Sequence, residues 1–176
     1  RIVSKTMTSP FFPVELEDIN ADIEFLGMGN RDYSIGRVKI QTIPLSHPNP
    51  GVGYRLTEDG KSFVFLTDNE LTYDHYGRAT YEQYVRFAKG AHLMFHDAEF
   101  KRSEYKRTRG WGHSVFLDTL KLALDAGVKA LGLFHHNQER RDKEIDEMVA
   151  KCAQVIKSKG SKMKCFAAAT GLEKRL

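Results

Sequence analysis

Three apolar runs in this 176-residue chain end in side chains that can bind a metal ion or carry a proton. Ile43-Pro44-Leu45 leads into Ser46-His47, Phe63 to Leu66 into Thr67-Asp68, and Leu131 to Phe134 into His135-His136. Asp97 follows a fourth run, Ala91 to Phe95, and His113 lies in Gly-Trp-Gly-His-Ser. Strand ends at one edge of an α/β sheet converge in space although they are far apart in sequence, and such folds place their chemistry there. Imidazoles with a carboxylate suit zinc, manganese or iron, and the two oxygens of Asp68 could bridge two ions. Taken singly, each residue also has a plainer reading. His47 then belongs to a Ser-His-Pro turn, Asp68 caps a turn, and His113 precedes a helix. The conjunction at several strand ends favours a site.

The elements that must hold these groups are visible as periodicities. Residues 37–45 alternate as a strand; 52–56 and 62–66 flank an Asp59-Gly60 hairpin signal. Residues 80–89 are amphipathic and stop at Gly90. A strand is expected over 91–95, a helix from a Ser114 N-cap to Ala126 with Gly127 closing it, a strand over 128–134, a helix over 141–158 and a last strand over 162–168. Before these, residues 1–13 read as an extended arm punctuated by prolines, 14–21 as a short helix, 22–27 as a strand and 28–36 as turns. A first half of antiparallel strands, followed by alternating helices and strands, implies a layered α/β fold with a mixed sheet, in one domain over 1–176.

The composition is that of a globular protein, 41% hydrophobic and 28% charged, with a net charge of +4. That balance says little about partners. Cys152 and Cys165 lack CxxC spacing and read as reduced core residues of a cytoplasmic protein. No apolar run reaches the length of a membrane span. The stretch 100–111 interleaves Lys101, Arg102, Lys106, Arg107 and Arg109 with Phe100, Tyr105 and Trp111. It reads either as a solvated loop or as a surface that contacts phosphates and stacks bases.

The ordered motifs LSHPNPGVGYRL, SFVFLTDNE, HLMFHDAEF, RGWGHS and LGLFHH resemble the metallo-β-lactamase-fold metal-dependent hydrolases, in particular their phosphodiesterase-like branch. The resemblance covers about 11–171. It implies the C-terminal portion of a four-layer αββα fold, a mixed sheet flanked by helices. It implies two divalent metal ions, zinc or manganese with iron as an option. His47 would bind one metal, Asp68 would bridge both, and His135 would bind the second. His113 would approach the substrate phosphate, Asp97 would orient a histidine, and His136 and Asp142 would stand behind the ligands. The implied reaction is hydrolysis of a phosphodiester, in a cyclic phosphate or RNA-like substrate, by a dinuclear metal-bound hydroxide. Partners would be a phosphate-containing small molecule or nucleic acid, and no membrane. One signature of the resemblance, HxHxDH, does not occur in these residues. With His47, Asp68 and His135 alone, each metal has two protein ligands, against the three usual for catalytic zinc. The expectation is therefore a longer native protein that supplies the motif, or a homodimer that buries the sheet face left open. The alternative is a non-catalytic interaction module with a vestigial metal half-site.

Overall fold

The computed structural model describes residues 2–24 and 32–176. A short helix α1 (Ile2–Thr6) and a 3-10 turn (Leu16–Asp18) precede the sheet. The arm expected to be extended is thus helical at its start, and Asp22 to Glu24 form no strand; the rest of that expected strand lies outside the described residues. The chain then runs β1 (Tyr33–Ile35), β2 (Val38–Pro44), β3 (Val52–Glu58), β4 (Lys61–Leu66), α2 (Tyr81–Ala88), β5 (Leu93–Asp97), α3 (Tyr105–Thr108), α4 (Phe116–Asp125), β6 (Ala130–Phe134), α5 (Asp142–Ser158) and β7 (Lys164–Ala167).

The seven strands form one sheet in sequence order. Pairings from β1 to β4 are antiparallel, and those from β4 to β7 are parallel. This is the mixed sheet that the patterning implied. Asp59 and Gly60 both adopt left-handed φ, 48° and 75°, as a two-residue hairpin turn with matched twist requires. Strand β5 starts two residues later than its apolar run suggests. Its parallel register sets Phe63 opposite Leu93 and Asp97 opposite Phe134, which carries His96 and Asp97 into the strand.

The period-2 alternation gives the sheet two different faces. Val64, Leu66, Met94, Leu131 and Leu133 are buried in one cluster with Tyr84 and Ala88 of α2, Leu120 and Ala123 of α4, and Met148 and Cys152 of α5. Each of the four leucines, fully buried or nearly so, contributes about 1.5–3 kcal/mol. On the other face Phe63, Phe65, Phe95, Phe134 and Phe166 run across β4 to β7 with ring centroids 5.3–6.2 Å apart, and all five are half-exposed. A Cβ on Gly132 would fall 2.0 Å from the Phe95 ring, so glycine is what lets that ring lie across β6.

Helix α2 begins with a capping box. Thr80 Oγ1 accepts from Gln83 N (3.3 Å), and Gln83 Oε1 accepts from Thr80 N (2.6 Å). Ser114 does not cap α4; Val115 occupies that position, and the Ser114 hydroxyl is used elsewhere. Cys152 and Cys165 are free thiols. Among the described residues no helix is long and apolar enough to cross a membrane.

Candidate metal and phosphoryl site

The carboxyl edge of β4, β5 and β6 brings four of the expected groups together. Ligand atoms of Asp68, Asp97, His113 and His135 all lie within 4.8 Å of one another. Asp68 and His135 follow their strands by one or two residues, and both take left-handed backbone conformations, φ 56° and 55°. For residues other than glycine this costs on the order of 1–3 kcal/mol each, a strain that gathers at functional sites. His135 Nε2 is 3.2 Å from Asp68 Oδ1. Two ligands about 2.0 Å from a tetrahedral ion are separated by about 3.3 Å, so this pair has the spacing of adjacent metal ligands.

Glu99, which the sequence reading passed over, closes the other side. Its Oε2 lies 3.2 Å from His135 Nδ1 and 3.5 Å from His113 Nδ1, and its Oε1 accepts from Asn137 Nδ2 (3.0 Å). The close Glu99 carboxylate is the main reason that the His135 pKa is pushed up to about 9, against a burial effect that lowers it. The Nδ1–Glu99 contact is close but poorly aligned, and Nδ1 has no well-formed hydrogen bond. Arg140 fixes the segment behind Glu99. Its buried guanidinium donates to Glu99 O (2.8 Å) and to both carboxylate oxygens of Glu104 (3.2 and 2.8 Å).

His113 Nδ1 is 2.6 Å from Oδ2 of the fully buried Asp97. The other Asp97 oxygen accepts from the backbone N–H groups of Ser114 (3.1 Å) and Glu99 (3.2 Å). Burial alone would lower the His113 pKa; Asp97, with help from Glu99, outweighs it and raises the pKa. The His113 ring stacks on His135 with centroids 4.4 Å apart and meets the edge of His47 at 5.5 Å. His47 lies outside the tight cluster of four. Its Nδ1 meets the Asn49 backbone, 2.9 Å from Asn49 O and 3.1 Å from Asn49 N, so Nε2 is the ring nitrogen not engaged there.

Two further residues missed at the sequence level assemble these loops. The fully buried Asn69 accepts from Ser46 N at Oδ1 (2.8 Å), donates from Nδ2 to His96 Nε2 (3.1 Å), and accepts from Ser114 Oγ at its carbonyl (2.5 Å). It therefore joins the chain neighbours of His47, Asp97 and His113. Glu70, also fully buried, accepts from Tyr105 Oη (2.6 Å), Gly110 N (2.8 Å) and Gly112 N (2.8 Å), and pairs with His75 Nε2 (2.8 Å). Burial pushes this carboxyl up, but the donors hold its pKa below the usual range. Gly112, at φ 100°, packs on His47; a Cβ there would sit 2.0 Å from His47 Cδ2. The available sequence signal was a polar Thr-Asp-Asn-Glu run directly after an apolar strand.

The remaining histidines do other work. His96 is buried, its Nδ1 bonds to Asp97 O (2.7 Å), and burial lowers its pKa. His92, just before β5, is partly buried, and its Nδ1 accepts from Ser62 N (3.2 Å). His136 is half-buried, both ring nitrogens lack well-formed hydrogen bonds, and burial lowers its pKa. Asp142 is exposed at the first position of α5, apart from the cluster.

The donor set fits a divalent cation. Two imidazoles and two carboxylates converge, and a third imidazole is adjacent.

No protein-family model matches the chain. It is similar to the ribonuclease BN of Proteus mirabilis, 28% identical over 119 residues, which covers 67% of this chain and 36% of that protein. It is also similar to the ribonuclease Z of Brevibacillus brevis, 25% identical over 103 residues, covering 56% of this chain and 30% of the relative. The matches thus span about a third of the length of these curated relatives. Among solved structures, the metallo-β-lactamase fold protein YhfI of Bacillus subtilis superposes with a TM-score of 0.63 at 17% identity, over 81% of this chain and 52% of that one. The chain has the metallo-β-lactamase fold, and its resemblance is to the phosphodiesterase-like branch of that superfamily.

Proposed function

We propose that this chain carries part of the active site of a metal-dependent hydrolase that cleaves phosphodiester bonds in an RNA-like substrate. The observation that supports it most is the convergence of Asp68, Asp97, His113 and His135 within 4.8 Å at the edge of a metallo-β-lactamase-fold sheet. The names of the ribonuclease relatives favour nucleic acid over other phosphodiesters.

His47 through Nε2, Asp68 through its carboxylate and His135 through Nε2 are the residues that would hold divalent metal. Bound metal supplies Lewis-acid polarisation of the phosphoryl group and a more acidic water. Glu99 faces the far nitrogen of His135, the position from which a carboxylate fixes the tautomer and orientation of a liganding histidine. His113 keeps Nδ1 on Asp97, which leaves Nε2 for the substrate. The raised pKa favours the protonated ring, so Nε2–H can donate to a phosphoryl oxygen and pass its proton to the leaving oxygen. Asp97 holds the ring in place through this transfer.

The test is metal analysis and RNA hydrolysis on the full-length protein and its Asp68→Ala variant. The reading expects at least one metal per chain, cleavage of an RNA oligonucleotide, and loss of both on substitution. Less than one metal per chain, with no cleavage and no effect of Asp68→Ala, would instead favour a non-catalytic module.

A further inference from the structure

Trp111 stands out because its side chain is 62% exposed while its backbone is held by hydrogen bonds. Three consecutive N–H groups are committed: Gly110 N and Gly112 N to the two oxygens of buried Glu70, and Trp111 N to Thr108 O (3.1 Å). Gly110 and Gly112 take φ 86° and 100°, so the strap turns sharply on both sides of the indole. Beneath it, Tyr73 Cζ lies 3.5 Å from where a Gly110 Cβ would be, and the Arg109 guanidinium sits 5.4 Å from the centre of the same Tyr73 ring. The backbone that carries Trp111 is thus fixed, two residues from His113, with Cα atoms at most about 7 Å apart.

The surroundings are cationic. Lys106, Arg107 and Arg109 are exposed, and among the described residues none of them forms an ion pair with a carboxylate, unlike Lys101 and Arg102, which pair with Glu144 and Asp118. An exposed aromatic face on a fixed backbone, in a segment with exposed cations that have no carboxylate partner, suits single-stranded nucleic acid: the cations follow phosphates and the ring stacks a base.

We infer that Trp111 is a stacking platform for the nucleobase next to the reacting phosphate, and so a specificity-determining residue for base-bearing, single-stranded substrate ends. The inference rests on the phosphodiester reading above. Its reach is set by the strap. Because the backbone is already fixed, little ordering cost accompanies stacking, and the base is held at a defined distance from His113.

The experiment uses the metal-loaded full-length protein and a hydrolysis-resistant phosphorothioate heptaadenylate, compared at constant salt with an abasic oligomer bearing the same number of phosphates. Wild type is expected to bind the base-bearing oligomer about tenfold tighter or more. Trp111→Ala should erase that preference while binding of the abasic oligomer stays as it was. Trp111→Phe should keep most of the preference; Trp111→Leu, apolar but without a stacking face, should lose it. Equal preference in wild type and Trp111→Ala, or none in wild type, overturns the platform. Cleavage of the natural RNA oligomer by wild type is scored separately: if it is absent although the stacking preference is present, the hydrolase reading fails and the platform stands.

Discussion

The amide nitrogen of Asn69 lies 3.1 Å from Nε2 of His96, and both side chains are fully buried. The contact fixes His96 with its proton on Nδ1, bonded to Asp97 O, and it completes a polar junction beneath three loops of the site. Replacing Asn69 with Leu leaves Ser46 N and His96 Nε2 without partners in a dry environment. Each unsatisfied group costs about 1–3 kcal/mol. Asn69→Leu is therefore expected to lower unfolding free energy by about 2–5 kcal/mol, read as a shift of the urea midpoint; a midpoint within error of wild type would show that the junction is not stabilising.

Gly112 and Gly110 make a matched pair of tests. Both have positive φ, but a Cβ at Gly112 collides with His47 and Pro48, whereas at Gly110 the nearest atom is 3.5 Å away. Gly112→Ala should displace His47 and reduce both metal content and hydrolysis. Gly110→Ala should cost about 1 kcal/mol or somewhat more of stability from backbone strain and leave the metal content as it was. Elemental analysis of the two purified variants gives the comparison.

His113→Ala and Asp97→Asn remove the proton donor and the carboxylate that orients it. Hydrolysis is expected to fall by about 10²- to 10⁴-fold in each, with metal content retained, because neither residue is assigned as a ligand. Loss of metal in step with activity would move Asp97 or His113 into the ligand set, a geometry that their distance to Asp68 and His135 permits.

Glu99→Gln should weaken metal binding by about 10- to 100-fold, the usual effect of removing a carboxylate from behind a liganding histidine. Asn137→Ala, which frees the other Glu99 oxygen from its hydrogen bond, should have a smaller effect in the same direction. Competition with a chelator of known affinity measures both; equal affinities in all three proteins would assign Glu99 a purely structural role.

The order of strands and helices was legible because the signals are local: the Asp59-Gly60 turn, the Gly90 and Gly127 stops, and alternation in β2 and β4. His47, Asp68, His113 and His135 were legible because histidine and aspartate at strand ends are uncommon enough to notice. Asn69, Glu70 and Glu99 were not, since amides and carboxylates in turns are commonplace; full burial sets the first two apart, and Glu99 is distinguished only by its place between His113 and His135. The Ser114 cap failed for a related reason. Its hydroxyl was drawn to Asn69 O and Leu71 N across the fold, partners that no local pattern encodes. The start of β5 moved because neighbouring strands, not its own apolar run, determine the register.

Each strand of this sheet lies beside the strand before it in the chain. No pairing between earlier strands has to be opened to admit a later one. The antiparallel β1 to β4 close through short hairpin and loop connections, while β5, β6 and β7 each wait for an intervening helical segment. His47 and Asp68 follow strands paired through local antiparallel connections, whereas His135 follows a strand paired across a longer stretch of chain. Joint metal capture by Asp68 and His135 requires β6 to be docked on β5, so the rate at which refolding protein gains that capacity times the assembly of the parallel half of the sheet.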